Sequence, residues 1–148
     1  MSLQDAAETP TFSVLYNNCR GYWQPSNKAM ERYNELKRQI DCNYNDIDTL
    51  CYADRDDPIL IRVFEELGQE FDEKDDRCPS KTKIAKIAEK YRDFYTICED
   101  MNGREWIETD YEKYKVYEFK AKLLQILDKD ISDEKKLQEL SGYIRENS

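Results

Sequence analysis

The sequence predicts an α+β fold, with a small antiparallel sheet of about three to four short strands packed by helices and a C-terminal helical pair. Two observations carry this prediction: a β-hairpin signature spans residues 94–109, and apolar residues recur at helical spacing on either side of it. The chain has 148 residues, the size of one typical domain. We therefore expect an extended leader at residues 1–11, an α+β core at 12–109, and helices at 110–148 that pack on that core within a single domain.

The first half of the chain predicts one strand and two helices. Residues 12–16 read Phe-Ser-Val-Leu-Tyr, which is typical of a short strand, and the Pro-Ser pair at 25–26 is a helix-start signal. The Asp-Pro pair at 57–58 predicts an N-cap followed by a first helical residue, and Gly68 is the residue type that ends a helix. Residues 69–80 predict an acidic loop. Residues 81–92 fit a helix by their apolar spacing, but their β-branched isoleucines also fit a strand, so both alternatives stay open.

The hairpin is the clearest β signal. Its Asn102-Gly103 pair suits the two positive-φ positions of a type I′ turn, which predicts a two-residue loop. That loop predicts a register with Asp100 opposite Glu105, Glu99 opposite Trp106 and Cys98 opposite Ile107. It also predicts one face with Phe94, Thr96, Cys98 and Ile107, and another with Tyr95, Ile97, Met101 and Trp106.

Two helices are predicted after the hairpin. Thr109-Asp110-Tyr111-Glu112 has the pattern of a capping box, and apolar residues follow at steps of three and four up to Leu127. Ser132 begins a last helix with Leu137, Leu140 and Ile144 on one side. The short linker between them predicts an antiparallel pair.

Composition narrows the functional classes. There is no histidine, so a Ser-His-Asp triad, a Cys-His dyad and a zinc site with histidine ligands are excluded. Catalysis would fall to carboxylates or a cysteine, and we predict no cofactor and no metal. The net charge is −9; residues 41–79 alone carry −9, whereas residues 81–92 carry +4. The acidic balance argues against general binding to a phosphate backbone.

The expected location follows from the termini and the cysteines. No apolar run is long enough to span a membrane, and residues 1–10 lack the features of a signal peptide. The five cysteines, without a CxxC pair, predict reduced thiols.

Three motifs, in order, resemble a family of small uncharacterised proteins of bacteriophages and large DNA viruses. They are Tyr16-Asn17-Asn18-Cys19-Arg20-Gly21 with Ser26 and Ala29, then Asp56-Asp57-Pro58-Ile59-Leu60-Ile61 with Glu65-Glu66-Leu67-Gly68, and Glu99-Asp100-Met101-Asn102-Gly103-Arg104-Glu105-Trp106-Ile107. The resemblance covers about residues 12–109 and implies a viral source, a location in the host cytoplasm or the virion, and a strand at residues 81–88. The helices after residue 110 depart from it. The family has no assigned activity, so the resemblance implies no catalytic residue.

The hairpin carries four carboxylates, on Glu99, Asp100, Glu105 and Glu108. They would hold Mg²⁺ or Ca²⁺, or share a proton, if they converged. The favoured interpretation is a solvated tip whose charges discourage edge-to-edge pairing. Cys19 beside Arg20 would similarly be a nucleophile or a small residue that closes a turn, and the absence of a histidine base favours the second.

Two kinds of surface remain for recognition. Arg20, Tyr22 and Trp23 would stack on a partner; for Tyr22 and Trp23 the alternative is a place at the rim of the core. The hairpin residues that would contact a partner are Asn102, Gly103, Arg104 and Trp106. The basic residues Lys81, Lys83, Lys86, Lys90 and Arg92 and the acidic run 65–76 are typical of solvated faces, although each would also suit nucleic-acid binding or mimicry.

These observations predict a non-catalytic viral protein that acts by contact with a viral or host protein. Two alternatives stay open: a small enzyme that uses carboxylates or Cys19, and an acidic mimic or binder of nucleic acid.

Overall fold

The computed structural model describes residues 9–74 and 80–147 and contains both helices and strands. The strands are β1 (Thr11–Asn17), β2 (Thr82–Ala88), β3 (Tyr95–Glu99) and β4 (Glu105–Thr109). The helices are α1 (Asn27–Ile40), α2 (Pro58–Leu67), α3 (Tyr111–Leu127) and α4 (Asp133–Glu146), and short 3-10 turns lie at Leu50–Tyr52, Gly68–Phe71 and Glu89–Tyr91. The α+β class with a C-terminal helical pair is confirmed. Residues 1–8 of the predicted leader and residues 75–79 of the predicted acidic loop lie outside the described residues.

The described strands form two separate antiparallel sheets of two strands each, β1–β2 and β3–β4, where one sheet was predicted. The alternative left open at residues 81–92 is resolved as a strand over Thr82–Ala88, followed by the 3-10 turn Glu89–Tyr91. The strand β2 pairs with the whole length of β1, from Thr11 opposite Ala88 to Asn17 opposite Thr82. The isoleucines in this segment therefore follow their β-branched preference rather than their helical spacing.

The β1–β2 sheet is covered on both faces, as successive side chains of β1 point in opposite directions. Leu15 packs into a core with residues of α1 and α2. Phe12 and Val14 point the other way, and Tyr95, Ile97 and Ile107 of the hairpin pack against their cluster. The short ladder thus lies between the helices and the hairpin, which explains why Val14 and Leu15 are both fully buried.

The hairpin exists, but its predicted register is wrong. Glu99 lies opposite Glu105, Cys98 opposite Trp106 and Ile97 opposite Ile107. The loop has three residues, because the Asp100 N–H donates to the Arg104 carbonyl and the Gly103 N–H donates to the Asp100 carbonyl. Within this loop Gly103 alone has positive φ, at +82°, so the turn is a type I turn followed by a left-handed glycine rather than a type I′ turn. The predicted faces change accordingly: Ile107 shares a face with Tyr95 and Ile97, and Trp106 shares the other with Cys98.

The helix starts agree with the sequence in three of the four helices described. Ser26, Asp57 and Ser132 cap α1, α2 and α4, each accepting a backbone N–H from the first turn. At α3 the cap is Asp110 and not Thr109, because the Asp110 carboxylate accepts the Lys113 N–H while Thr109 still belongs to β4.

The segment after α2 is not the purely solvated loop that its acidic composition predicted. Phe71 is completely buried, with its ring 5.3 Å from the ring of Phe64 in an edge-to-face contact. A large apolar residue among acidic neighbours thus ties this segment to the core.

The chain divides into two compact units at Thr109 and Asp110. In the second unit α3 and α4 lie antiparallel: the rings of Phe119 and Tyr143 stack with centroids 5.4 Å apart, and Lys129 pairs with Glu139. The prediction of a single domain stays a prediction. No helix in residues 9–74 or 80–147 combines the length and the apolar character needed to cross a bilayer.

The N-cap of α2 generates a prediction about pH. The Asp57 carboxylate accepts the Tyr33 hydroxyl at 2.6 Å and lies 3.0 Å from the Lys37 ammonium. Burial opposes its ionisation, but the hydrogen bonds from Tyr33, the Ile59 N–H and Lys37 outweigh burial and hold the pKa of Asp57 below its usual value. A depressed folded-state pKa stabilises the protein above the unfolded pKa, and that stabilisation disappears as the pH falls through the folded value.

We expect Asp57→Asn, which keeps a capping side chain, to lower the free energy of unfolding at neutral pH. The difference from the native protein should begin to shrink as the pH falls below about 4, where the unfolded carboxylate takes up its proton, and should disappear only below the lowered pKa of the folded Asp57. Urea unfolding of both proteins across that pH range measures this. A difference that stays constant with pH would contradict the role given to the Asp57 charge.

Candidate functional site

A buried ion pair organises the end of the first unit where β1 meets the hairpin. Glu105, the first residue of β4, accepts two hydrogen bonds from the Arg55 guanidinium, at 2.8 and 3.0 Å. It also accepts the backbone N–H of Asn17 at 2.7 Å. Only 8% of the Glu105 side chain and 18% of the Arg55 side chain is exposed. Paired, planar donors and acceptors of this kind compensate much of the cost of removing two charges from water.

Arg55 also covers the outer edge of β1. Its backbone carbonyl accepts the Leu15 N–H at 2.9 Å, and its guanidinium donates to the Leu15 carbonyl at 3.3 Å. The same guanidinium lies 3.5 Å from the centre of the Trp23 ring. Arg55 therefore joins the strand edge, the hairpin and the loop after β1, and it occupies the hydrogen-bonding groups of that edge at Leu15.

Trp23 belongs to this buried network and not to the surface. Its indole N–H donates to the Thr82 hydroxyl at 3.0 Å, and that hydroxyl donates to Asp72 at 2.6 Å. Asp72 also accepts the Thr82 N–H, so it fixes the start of β2. The prediction that Trp23 would be an interaction residue placed it beside Tyr22; the structure gives it the alternative place in the core. An arginine does stack on this ring, but it is Arg55 rather than Arg20.

Asn17 joins the loop after β1 to the hairpin turn. Its buried side-chain amide donates to the carbonyls of Cys19, Gly21 and Gly103, and its oxygen accepts the Lys81 N–H. The Gly21 N–H also donates to the Asn102 carbonyl at 2.6 Å. The two loops are consequently held against each other by backbone and buried polar contacts, with little freedom for either to move alone.

Above this network lies an exposed group of side chains, here called the tip surface. It consists of Arg20, Tyr22, Met101, Asn102 and Arg104. Tyr22 is 69% exposed and Met101 is 98% exposed. Four of these are among the predicted interaction residues; Met101 was predicted only as part of the hairpin. Gly103 lies buried beneath them, and Trp106 points to the outer face of the hairpin, where its indole N–H donates to Glu108.

The four hairpin carboxylates do not converge. Glu105 points inward to Arg55, whereas Asp100 accepts the N–H groups of Asn102 and Arg104 and so shapes the turn. Glu108 lies on the opposite face from Glu105, beside Trp106. Across residues 9–74 and 80–147, no three His, Cys, Asp or Glu side chains form a group able to hold a metal ion.

The described cysteines Cys19, Cys42, Cys51 and Cys98 are free thiols. Partial burial raises the pKa of the Cys98 thiol, and the Glu108 carboxylate raises it further. Cys98 is therefore less reactive than an ordinary thiol at neutral pH. Cys19 is half-buried in the loop that Asn17 organises, where its carbonyl closes a turn.

Several charged side chains of the two charged segments make contacts within the described part of the protein. Arg92 donates to Glu89 and lies over the Phe12 ring, and Lys86 donates to the Ser13 hydroxyl. In the acidic run, Glu66 pairs with Arg32 and Arg62, and Glu70 pairs with Lys28. The hydrogen bond from Arg32 lowers the pKa of Glu66, and that from Lys28 lowers the pKa of Glu70.

The sequence did not point to Arg55, Asp72 and Thr82, whose contacts fix the segments that carry the exposed residues of the site. Asn17 was noticed only as part of a motif. Arg55 did leave a weak signal, because it is an isolated base among the many acids of residues 41–79.

Comparison of the chain with protein-family models, with curated proteins and with solved structures finds no match. The site must therefore be interpreted from its own geometry.

The packing of the two loops generates a prediction at Gly103. A Cβ atom added there would lie 2.6 Å from the Gly21 carbonyl oxygen, a backbone atom that cannot swing away, and the φ of +82° is strained for any other residue. We expect Gly103→Ala to lower the free energy of unfolding by about 3 kcal/mol. Chemical denaturation measures the loss.

The neighbouring Asn102→Ala is the matched control. Asn102 is exposed in the same turn, and its carbonyl, which the Gly21 N–H needs, is unchanged by the substitution. We expect a change within about 0.5 kcal/mol. Equal effects of the two substitutions would mean that the turn does not pack on the Gly21 loop.

Proposed function

We propose that this protein is a non-catalytic binding module that acts by protein–protein contact through the tip surface. The observation that carries the proposal is the exposure of Tyr22 and Met101, together with Arg20 and Arg104, on two loops whose backbone a buried network fixes. Tyrosine, methionine and arginine are enriched at protein interfaces. A backbone already fixed before binding reduces the ordering cost of association.

The chemistry of the tip surface indicates what it would bind. Arg20 and Arg104 suit carboxylates on a partner, in contrast to the acidic balance of the whole chain. Tyr22 and Met101 suit an apolar pocket, and methionine adapts to irregular ones. The partner in this proposal is a protein with an apolar depression rimmed by acidic side chains.

The source and location belong to the same proposal. The motifs that resemble proteins of bacteriophages and large DNA viruses support a viral origin, with the partner a viral or host protein in the host cytoplasm or the virion. The paired charges of Glu66, Glu70 and Arg92 support this proposal over nucleic-acid mimicry or binding, because these groups are already neutralised within the chain. The separation of the hairpin carboxylates likewise gives no support to a carboxylate enzyme.

A photo-reactive phenylalanine analogue placed at Tyr22 tests the proposal in cells that produce the protein. We expect a discrete cross-linked protein, identified by mass spectrometry, because Tyr22 is a largely exposed aromatic residue of the tip surface. The same substitution at Tyr52, which is 76% exposed on another part of the first unit, serves as the control and should not give that product.

A second pair of variants ties the product to the side chains of the tip surface. Arg20→Ala and Met101→Ala should each reduce the Tyr22 cross-link severalfold, since both remove an interface side chain without touching the buried network. Identical products from Tyr22 and Tyr52, or a Tyr22 product that neither variant reduces, would contradict a specific contact at this surface.

A further inference from the structure

The α3–α4 hairpin exposes more apolar surface than a two-helix unit can cover by itself. Of the side chains described in α3 and α4, only that of Ile126 is buried. Five others form what is here called the apolar face: Val116, Leu124, Leu127, Leu137 and Ile144. Leu124 and Leu137 are each 65% exposed. Two short helices have too little surface in contact to enclose a core, so such faces are normally covered by further helices.

Helical geometry places the apolar face on one side of the hairpin. The stacked rings of Phe119 and Tyr143 mark the sides on which α3 and α4 face each other. At 3.6 residues per turn, Leu137 and Ile144 lie about 100–120° around the α4 axis from Tyr143. The α3 residues of the apolar face lie about 60–140° around the α3 axis from Phe119, counted in the same sense toward the C-terminus. Because the helices are antiparallel, these rotations in the same sense bring both sets to the same side. The helices also leave a groove of about 520 Å³ between them, lined by Val116, Phe119, Leu123 and Tyr143 among others.

We infer that the apolar face binds the same face of a second copy of this chain, with α3 of each copy lying across α4 of the other in a four-helix arrangement. Antiparallel helix pairs with apolar residues at steps of three and four pack in this way, and a symmetric pair needs only one self-complementary face. The inference concerns the second unit and does not rest on the function proposed for the tip surface.

The charge distribution indicates that the partner which covers the apolar face is a second copy of this chain. Residues 110–148 carry nine acids and eight bases, a net of −1, whereas the rest of the chain carries −8. Two helical pairs therefore meet without the net repulsion that residues 41–79, at −9, would bring. In the helical pair, α3 has a net charge of +2 and α4 has a net charge of −1. Packing α3 of one copy across α4 of the other therefore brings opposite charges together. Lys120 lies on the same side of α3 as the apolar face, with its ammonium available to the acidic α4 of the second copy.

Sedimentation velocity of the full chain over a wide concentration range tests the inference. The native protein should change from the 17.7 kDa monomer to a species of twice that mass as concentration rises. Leu137→Lys should weaken the dimer by about thirtyfold or more, because it puts a charge at the centre of the apolar face. Gln138→Lys adds the same charge to the adjacent, exposed residue of α4, outside the apolar face, and should dimerise like the native protein.

Far-UV circular dichroism separates dissociation from unfolding. Lysine is a good helix former and Leu137 is exposed, so all three proteins should show the same helical signal at low concentration. If Leu137→Lys loses helical signal, the milder variant Leu137→Ala is used in its place, with Gln138→Ala as its matched control. Leu137→Ala should then weaken the dimer severalfold relative to Gln138→Ala. A native protein that stays monomeric at every concentration, or equal dimerisation of the position 137 and 138 variants, would overturn the inference.

Discussion

The Arg55–Glu105 ion pair is the interaction on which the architecture of the first unit depends. Taking one carboxylate and one guanidinium out of water costs several kcal/mol for each, and only close, paired hydrogen bonds compensate for that cost. Here both guanidinium hydrogen bonds are made, and the remaining contacts of the two residues go to β1 and to the Trp23 ring. Removing either partner would leave a buried charge, so the pair fixes which segments must meet: the β1 edge, the loop after β1, the segment before α2 and the first residue of β4.

The same constraint explains why the tip surface has a defined shape. Glu105 anchors the hairpin from below, and Asn17 joins the loop after β1 to the turn that Gly103 allows. The exposed residues at this end therefore stand on a polar network whose described buried side-chain atoms all have partners. The second unit is built on a different principle. Its helices are held by local propensity and by a stacked pair of rings, and its apolar face is exposed.

The sequence was sufficient where structure is decided locally. Caps at Ser26, Asp57 and Ser132 and helical spacing predicted the helices well, and an Asn-Gly pair between apolar runs predicted the hairpin. The register could not be predicted, because local preference favours a two-residue loop, whereas the three-residue loop puts Tyr95, Ile97 and Ile107 on the one face that packs against β1. That packing joins segments about 80 residues apart in sequence. The sequence left two places open for Trp23, on the surface or at the rim of the core, because the arginine that stacks on its ring comes from a distant segment.

A double-mutant cycle on the ion pair tests the account most directly, with unfolding free energies measured by urea denaturation of Arg55→Met, Glu105→Gln and the combined variant. Each single substitution should cost about 3 kcal/mol or more, and the combined loss should be smaller than the sum by about 2 kcal/mol, because the second substitution removes the charge that the first left unpaired. The exposed pair Arg38–Asp46, taken through the same cycle with Arg38→Met and Asp46→Asn, should couple by less than about 1 kcal/mol. Additive losses at Arg55 and Glu105, or a coupling no larger than that of the exposed pair, would contradict the central place given to this interaction.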